Sequence, residues 1–365
     1  MEKCRNGKLD VLKFIMTINI VALHYWWRPQ IVSIGNKQLT FGKTGYYAVI
    51  FFFLVSGALL VRSFYFDRYT QNSPNSVGRE TQNFIMGKMR KFLPLYMWAL
   101  FLYILKDIIV DKSLKNVLEN MFYTIPSCLM LGQTGFDNKG TYIGGYYVGA
   151  SWYLSALLIM MFIAYPLLLS NYDLCTKVVA PIILILALYI NVSVIGTNVV
   201  DSRLYPVIPF VLGIIVGDIS IEASKSQMNN KICVWGIHIV ELFCAVMLQV
   251  FLCIDISEMR MAEYPMLFLT ATLVCIVCVN ITPGKDCANR VTGYLGKLSF
   301  ALYLIHGSTY ELLHEAFIHD TLEKGSNLDF IISLLVSICM ANLWLLFEER
   351  LPKAATTKLI TSHRS

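Results

Sequence analysis

Charge is scarce in this chain. Asp, Glu, Lys and Arg supply 15% of its 365 residues, while hydrophobic types reach 56% and mean hydropathy is +0.58. Apolar runs of about 17–22 residues recur throughout, the length a helix needs to cross a hydrocarbon core ~30 Å thick, so a single water-facing domain is excluded. Other absences narrow the class further. No basic low-complexity arm is present, which removes nucleic acid as an expected partner. No cleavable leader is expected, because Lys13 interrupts the first apolar run and no small-x-small site follows it. Cys275 and Cys278 form a CxxC without a second pair, inside the apolar segment 273–279, so the cysteines read as packing residues and no metal site is expected. His306 and His314, eight apart with no carboxylate pattern beside them, likewise make a poor zinc pair.

What is present reads as an all-α integral membrane protein, one domain over 1–365, since in lipid every backbone polar group must be satisfied within a helix or a closed barrel. Ten candidate spans follow from the runs: 9–27, 44–64, 92–110, 146–169, 178–196, 204–219, 232–254, 264–281, 297–317 and 328–347. Residues 121–131 are apolar but too short to cross, and are expected to be re-entrant or interfacial. The span at 204–219 opens with Pro206 and Pro209 and is expected to be broken or tilted. With the N-terminus inside, inner segments hold 19 Lys and Arg against 10 outside. That asymmetry places both termini, and a short basic tail at about 350–365, in the cytoplasm.

Within the first span Lys13 and His24 stand eleven residues apart. At ~100° and ~1.5 Å per residue they share one helical face about 16 Å apart. Ionisable groups at membrane depth cost free energy and commonly line a polar pathway or site. Snorkelling of both groups to the two interfaces is the plain alternative.

These residues belong to an ordered series. Asp10-Val-Leu-Lys13 and His24 are followed by Gly45-Tyr-Tyr-Ala-Val-Ile-Phe-Phe-Phe-Leu-Val-Ser-Gly57 and by Lys88-Met-Arg-Lys-Phe-Leu-Pro-Leu-Tyr96. Then come Ser151-Trp-Tyr-Leu154, Leu295-Gly-Lys-Leu-Ser-Phe-Ala-Leu-Tyr-Leu-Ile-His306 and Phe347-Glu-Glu-Arg-Leu-Pro352. Together, from residue 10 to 352, they resemble the membrane acyltransferase-3 family of O-antigen and exopolysaccharide O-acyltransferases. Two departures stand out: lysine replaces the commoner arginine at 13, and the Arg-x-x-Arg of the family appears as Lys88 and Lys91 with Arg90 out of register. The resemblance implies a multi-pass protein of the cell (inner) membrane. It implies acyl-CoA, with acetyl-CoA the expected form, as a cytoplasmic co-substrate rather than a permanently bound cofactor. A glycan or lipid-linked glycan hydroxyl is the implied acceptor.

Acyl transfer to a hydroxyl needs a base, oxyanion stabilisation and a hold on the donor. His24 is the candidate base and Lys13 a fixed charge orienting the donor, with Asp10 three residues earlier able to hold it. Ser56 reads either as nucleophile or, beside Gly57, as a packing residue. Tyr303 and His306, at i and i+3, suit either facing the cavity of His24 or ordinary helix-end placement. Arg79, Lys88, Arg90 and Lys91 suit either coenzyme A phosphates or ordinary inner-face anchoring. Trp152 and Tyr153 suit either stacking on the acceptor sugar or an interfacial belt. Glu348 and Glu349 are expected to pair with Arg350 or to cap the last helix. A transporter or polysaccharide-export component, with Lys13 and His24 lining a path, is the rival class. It calls for inverted repeats, and none is seen.

Overall fold

The computed structural model describes residues 5–34, 37–69, 76–110, 113, 115, 117–119, 151–195, 204–226, 230–254, 263–284, 287–318 and 322–350. Among them the fold is a helical bundle: α1 (Gly7–His24), α2 (Ala48–Phe64), α3 (Val77–Val110), α4 (Ser151–Ser170), α5 (Tyr172–Ser193), α6 (Val207–Lys225), α7 (Lys231–Cys253), α8 (Glu263–Val279), α9 (Arg290–Ala316) and α10 (Asn327–Arg350). Seven of these, α2 to α7 and α10, are long and apolar enough to cross a membrane, α2 when taken with its flanking turns as Gly45–Asp67, 23 residues in all. α8 falls short at 17 residues. α1 and α9 carry many polar groups, and those groups build the site described below. The apolar segment 121–131 and the tail from 351 lie outside the described residues.

Two sequence expectations are corrected. α6 is neither broken nor short: Pro206 sits at its N-cap and Pro209 in its first turn, where a missing N–H costs nothing, and the helix runs on to Lys225. α3 begins at Val77 rather than near 92; its 34 residues would extend about 51 Å at ~1.5 Å each. The stretch carrying Arg79, Lys88, Arg90 and Lys91 is therefore part of this helix. The all-α class holds with one small addition: β1 (Gln30–Ile34) and β2 (Lys37–Thr40) form an antiparallel hairpin after α1, pairing Ser33 with Gln38 and Ile34 with Lys37.

Helix starts are fixed by side-chain caps. Asn6 accepts from the Leu9 N–H of α1, Asn230 caps α7, and Asn289 with Thr292 closes a capping box on α9. Helix directions follow from which residues meet. Asp10, Thr17 and His24 of α1 meet Gly296, Ser299 and His306 of α9, so these two run parallel. Phe92 meets Phe300 and Lys106 meets Glu315, so α3 runs with them. α2 runs parallel to α6, with Tyr205 bonded to the Tyr46 carbonyl just before α2 and Arg62 to Ser220. α10 opposes α9, pairing His314 with Asp329 at one end and Lys297 with Glu349 at the other. Arg5 and Glu349, near the two ends of the described chain, thus lie at the same end of the bundle.

The tightest seam joins α2 to α6. A Cβ on Gly57 would collide with the Phe210 carbonyl, and one on Gly213 with the Leu54 carbonyl. Small residues let backbones touch where lipid offers no hydrophobic drive between helices. This seam holds α2 in place behind the α1–α9 pair.

Candidate functional site

α1 contributes one face with a seven-residue spacing, Asp10, Thr17 and His24. α9 contributes Gly296, Ser299, Tyr303 and His306 at a 3-4-3 spacing, which keeps all four on one side of a helix. Thr17 Oγ1 bonds Ser299 Oγ at 2.8 Å, midway along the seam. At one end Gly296 has no side chain because Asp10 occupies the space: a Cβ there would lie 2.7 Å from the Asp10 carboxyl carbon. Asp10 accepts from Arg5 Nε at 2.7 Å, and Arg5 donates a second bond to the Gly293 carbonyl at 2.7 Å. Lys13 Nζ lies 3.8 Å from Asp10 Oδ1 and is within reach of the Lys91 charge. The closer partner of the Asp10 carboxylate is Arg5, with Lys13 standing further off beside it.

At the other end of the seam, His24 Nδ1 lies 2.7 Å from His306 Nε2, the rings nearly parallel with centroids 4.9 Å apart. His306 is buried and His24 is exposed. The bonds fix the tautomers. His306 Nδ1 faces the Tyr303 carbonyl at 2.7 Å and the Leu302 carbonyl at 3.2 Å, so it carries the proton and donates. In neutral His306, Nε2 is then an acceptor, and it takes the Nδ1–H of His24. His24 Nε2 is then the unprotonated, basic nitrogen of an exposed residue. A base needs that tautomer, and a partner on the other nitrogen keeps it.

Tyr303 extends the site toward α2 and α4. Its ring lies 6.2 Å from that of His306, 5.8 Å from Phe52 and 5.5 Å from Tyr153. Tyr153 OH bonds Ser56 Oγ at 3.0 Å and donates to the Phe52 carbonyl at 3.3 Å. His24, His306, Tyr303, Tyr153 and Ser56 therefore form one continuous set. Lys13 does not join it, standing about 16 Å down α1. Ser56 bonds Tyr153 rather than a histidine, so no base is poised on it as a nucleophile requires. Trp152 packs on Phe53 and Tyr205, away from the histidines.

A family model described as an acyltransferase domain matches residues 6–345. The chain belongs to the acyltransferase-3 family. No curated protein and no solved structure matches it. The activity that membership supports is membrane acyl transfer, and the two-histidine end of the α1–α9 seam is the candidate centre of this acyltransferase.

Of the basic set, Lys88 lies over the Phe84 ring at 5.1 Å, and Arg79, Arg90 and Lys91 are exposed. The Phe92–Phe300 contact brings the last two to the Lys13 end of the bundle, alongside Arg5. Glu349 reaches Lys297 at 3.7 Å rather than the expected Arg350. Cys278 is buried and Cys275 half-buried, both free thiols.

Tyr25 escaped the sequence reading. Fully buried, it donates to the His306 carbonyl at 3.2 Å, bonds Ser337 Oγ at 2.5 Å and stacks on Tyr310. The available signal was its place directly after a candidate base. Asn19 escaped as well: it exchanges two amide bonds with Gln249, 3.2 and 2.9 Å, tying α1 to α7. A lone asparagine among apolar residues gave no hint of its partner.

Proposed function

We propose that this acyltransferase moves an acetyl group from cytoplasmic acetyl-CoA to a hydroxyl of a cell-surface or exported glycan. The observation that carries the chemistry is the His24–His306 pair, in which the His24 Nδ1–H is held and Nε2 is left as the basic nitrogen. Nε2 takes the proton of the acceptor hydroxyl as its oxygen attacks the thioester carbonyl. The tetrahedral intermediate then expels the sulfur, and the imidazolium returns the proton to the departing thiolate. While charged, His24 keeps donating Nδ1–H to His306, which steadies the imidazolium through the step. The Tyr303 phenol is the candidate donor to the oxyanion.

The donor would enter at the end holding Arg5, Lys13, Lys88, Arg90 and Lys91. The positive-inside bias supports reading that end as cytoplasmic. Lys13 then meets the donor between its phosphates and its thioester, and the long pantetheine arm runs along α1 toward His24. Separate sites for charge and for chemistry suit an elongated donor better than one compact pocket would.

The test uses purified protein in lipid nanodiscs, labelled acetyl-CoA, and host surface glycan de-esterified with mild alkali. Alkali-labile label should appear on the glycan and be absent without enzyme. Folded protein that leaves both substrates unchanged would remove this reading. A companion measurement compares surface-glycan esters in cells with and without the gene.

A further inference from the structure

His24 is the last residue of α1, and the last turn of a helix is where carbonyls run out of partners and the backbone frays. Here that turn is closed. The Trp26 N–H donates to the Leu23 carbonyl at 3.2 Å and the Trp27 N–H to the Ala22 carbonyl at 3.0 Å. Trp26 lies between them in the left-handed region, at φ +58°. This is a Schellman closure, in which the left-handed position usually falls to glycine. A tryptophan can hold it only where the surroundings over-determine the turn. They do: the Trp27 ring stacks on Phe330 of α10 at 3.9 Å, and its Nε1 donates to Asn327 Oδ1 at 2.8 Å.

Tyr25 stands between the base and this turn, with a fully buried side chain. Its phenol has one proton, donated to the His306 carbonyl at 3.2 Å. The 2.5 Å bond to Ser337 Oγ must then run the other way, with the serine donating. The ring stacks on Tyr310 of α9 at 4.5 Å and meets Phe330 of α10 edge-on at 6.3 Å. Tyr310 is itself tethered, donating to Asp329 Oδ2 at 3.3 Å. His306 is therefore held by α1 at two points. Its Nε2 takes the proton of His24, and its carbonyl takes that of the next residue along. One bond between two imidazoles leaves each ring free to turn; a second bond, from backbone carbonyl to phenol, fixes the register of α1 on α9.

We propose that Tyr25 is a positioning residue of this acyltransferase, its phenol setting the register in which His24 Nδ1–H meets His306 Nε2. The inference rests on the base role given to His24 above. Being fully buried, Tyr25 acts through the histidines and touches no substrate, so it governs turnover rather than binding.

Tyr25→Phe keeps the ring and both of its aromatic contacts and deletes only the phenol. In the nanodisc assay its kcat should fall about tenfold, the low end of what orienting partners cost, with the KM of acetyl-CoA and of glycan as in the wild type. In a His306→Leu background the same change should cost nothing further, because the bond it aligns is already gone. A loss of equal size in both backgrounds overturns the proposal, since it reports a disturbed bundle. The second readout involves no substrate. Imidazole ¹⁵N spectra separate protonated from bare nitrogens, and the chain has six histidines, so His24 can be identified by the signals that vanish in His24→Ala. Wild-type protein should show His24 protonated on Nδ1 alone, and Tyr25→Phe a mixture of tautomers. A single, unchanged tautomer in folded Tyr25→Phe overturns the proposal. Should that variant fail to fold, Ser337→Ala replaces it: removing the donor to the phenol should also mix the tautomers, and an unchanged spectrum there overturns the proposal equally. Wild-type protein that shows the expected tautomer but transfers no acetyl to glycan refutes the acetyl and glycan readings alone, and the spectra of the variants still decide the role of Tyr25.

Discussion

Replacing His306 separates a base that acts alone from one that acts as half of a pair. Its Nε2 is the acceptor of the His24 Nδ1–H at 2.7 Å. His306→Leu deletes that acceptor in a buried position, leaving His24 free to rotate and to adopt the unproductive tautomer. His306→Gln can return an oxygen to the same place. Removing a general base typically costs ~10²–10⁴-fold, about 2.7–5.4 kcal/mol at 1.36 kcal/mol per decade, and that range is the expected loss in kcat for His24→Ala. Removing the group that orients a functional imidazole costs roughly 10–100-fold by analogy with orienting partners of metal-bound histidines, the expectation for His306→Leu. His306→Gln should recover most of it. The double variant, His24→Ala with His306→Leu, should be no slower than His24→Ala alone, because the orienting group has nothing left to orient. The assay is single-turnover acetyl transfer, normalised to folded protein by size-exclusion and thermal unfolding. Losses that multiply in the double variant would refute the pairing and leave His306 as a packing residue.

Three further outcomes are expected. Lys13→Arg should retain activity while Lys13→Ala loses it, measured as donor KM and kcat; unchanged values for the alanine variant would make the residue a membrane anchor. Neutralising Lys88, Arg90 and Lys91 together should raise the acetyl-CoA KM more than it lowers kcat, and the wild-type site should weaken with salt, since exposed charges are screened within ~8 Å at physiological ionic strength; an unchanged KM leaves these residues as topology determinants. Labelling of cysteines placed near Arg5 and after Ser365 should report one and the same side of the membrane, the cytoplasm; opposite sides would break the alternation of the helices.

How much of this was legible in the sequence depended on the kind of signal. Helices announced themselves through apolar runs: among the described residues a helix lies at each expected span, though only seven of those helices are long and apolar enough to cross a membrane. Boundaries did not: α3 continues fifteen residues before its expected start because its first turns are polar, and a polar helix leaves no trace in an apolar run. Pro206 and Pro209 suggested a break, but their cost depends on where the helix begins, which local composition does not encode. At the site, spacing was enough to put Lys13 with His24, and Tyr303 with His306, on their own faces. That His306 would meet His24 needed the parallel packing of α1 and α9, set by Gly296 against Asp10 and Thr17 against Ser299, contacts 282 or more residues apart. The partners of Tyr25 and Asn19 were invisible for the same reason.

The distance along the chain between His24 and His306 has a consequence for how the protein is made. The two histidines are separated by 282 positions, which at ~5–20 residues per second amounts to roughly 15–60 s of synthesis. For that interval α1 holds Asp10, Lys13, Thr17, Asn19 and His24 with α9 not yet made, and α1 is not among the helices apolar enough to sit in lipid unaided. α1, made long before α9, is thus completed only when α9 docks. Until α9 docks, its polar stripe must stay beside water or beside the insertion machinery. A chain that stops short of α9 leaves the polar stripe of α1 without its partner, so the two-histidine end of the seam cannot form.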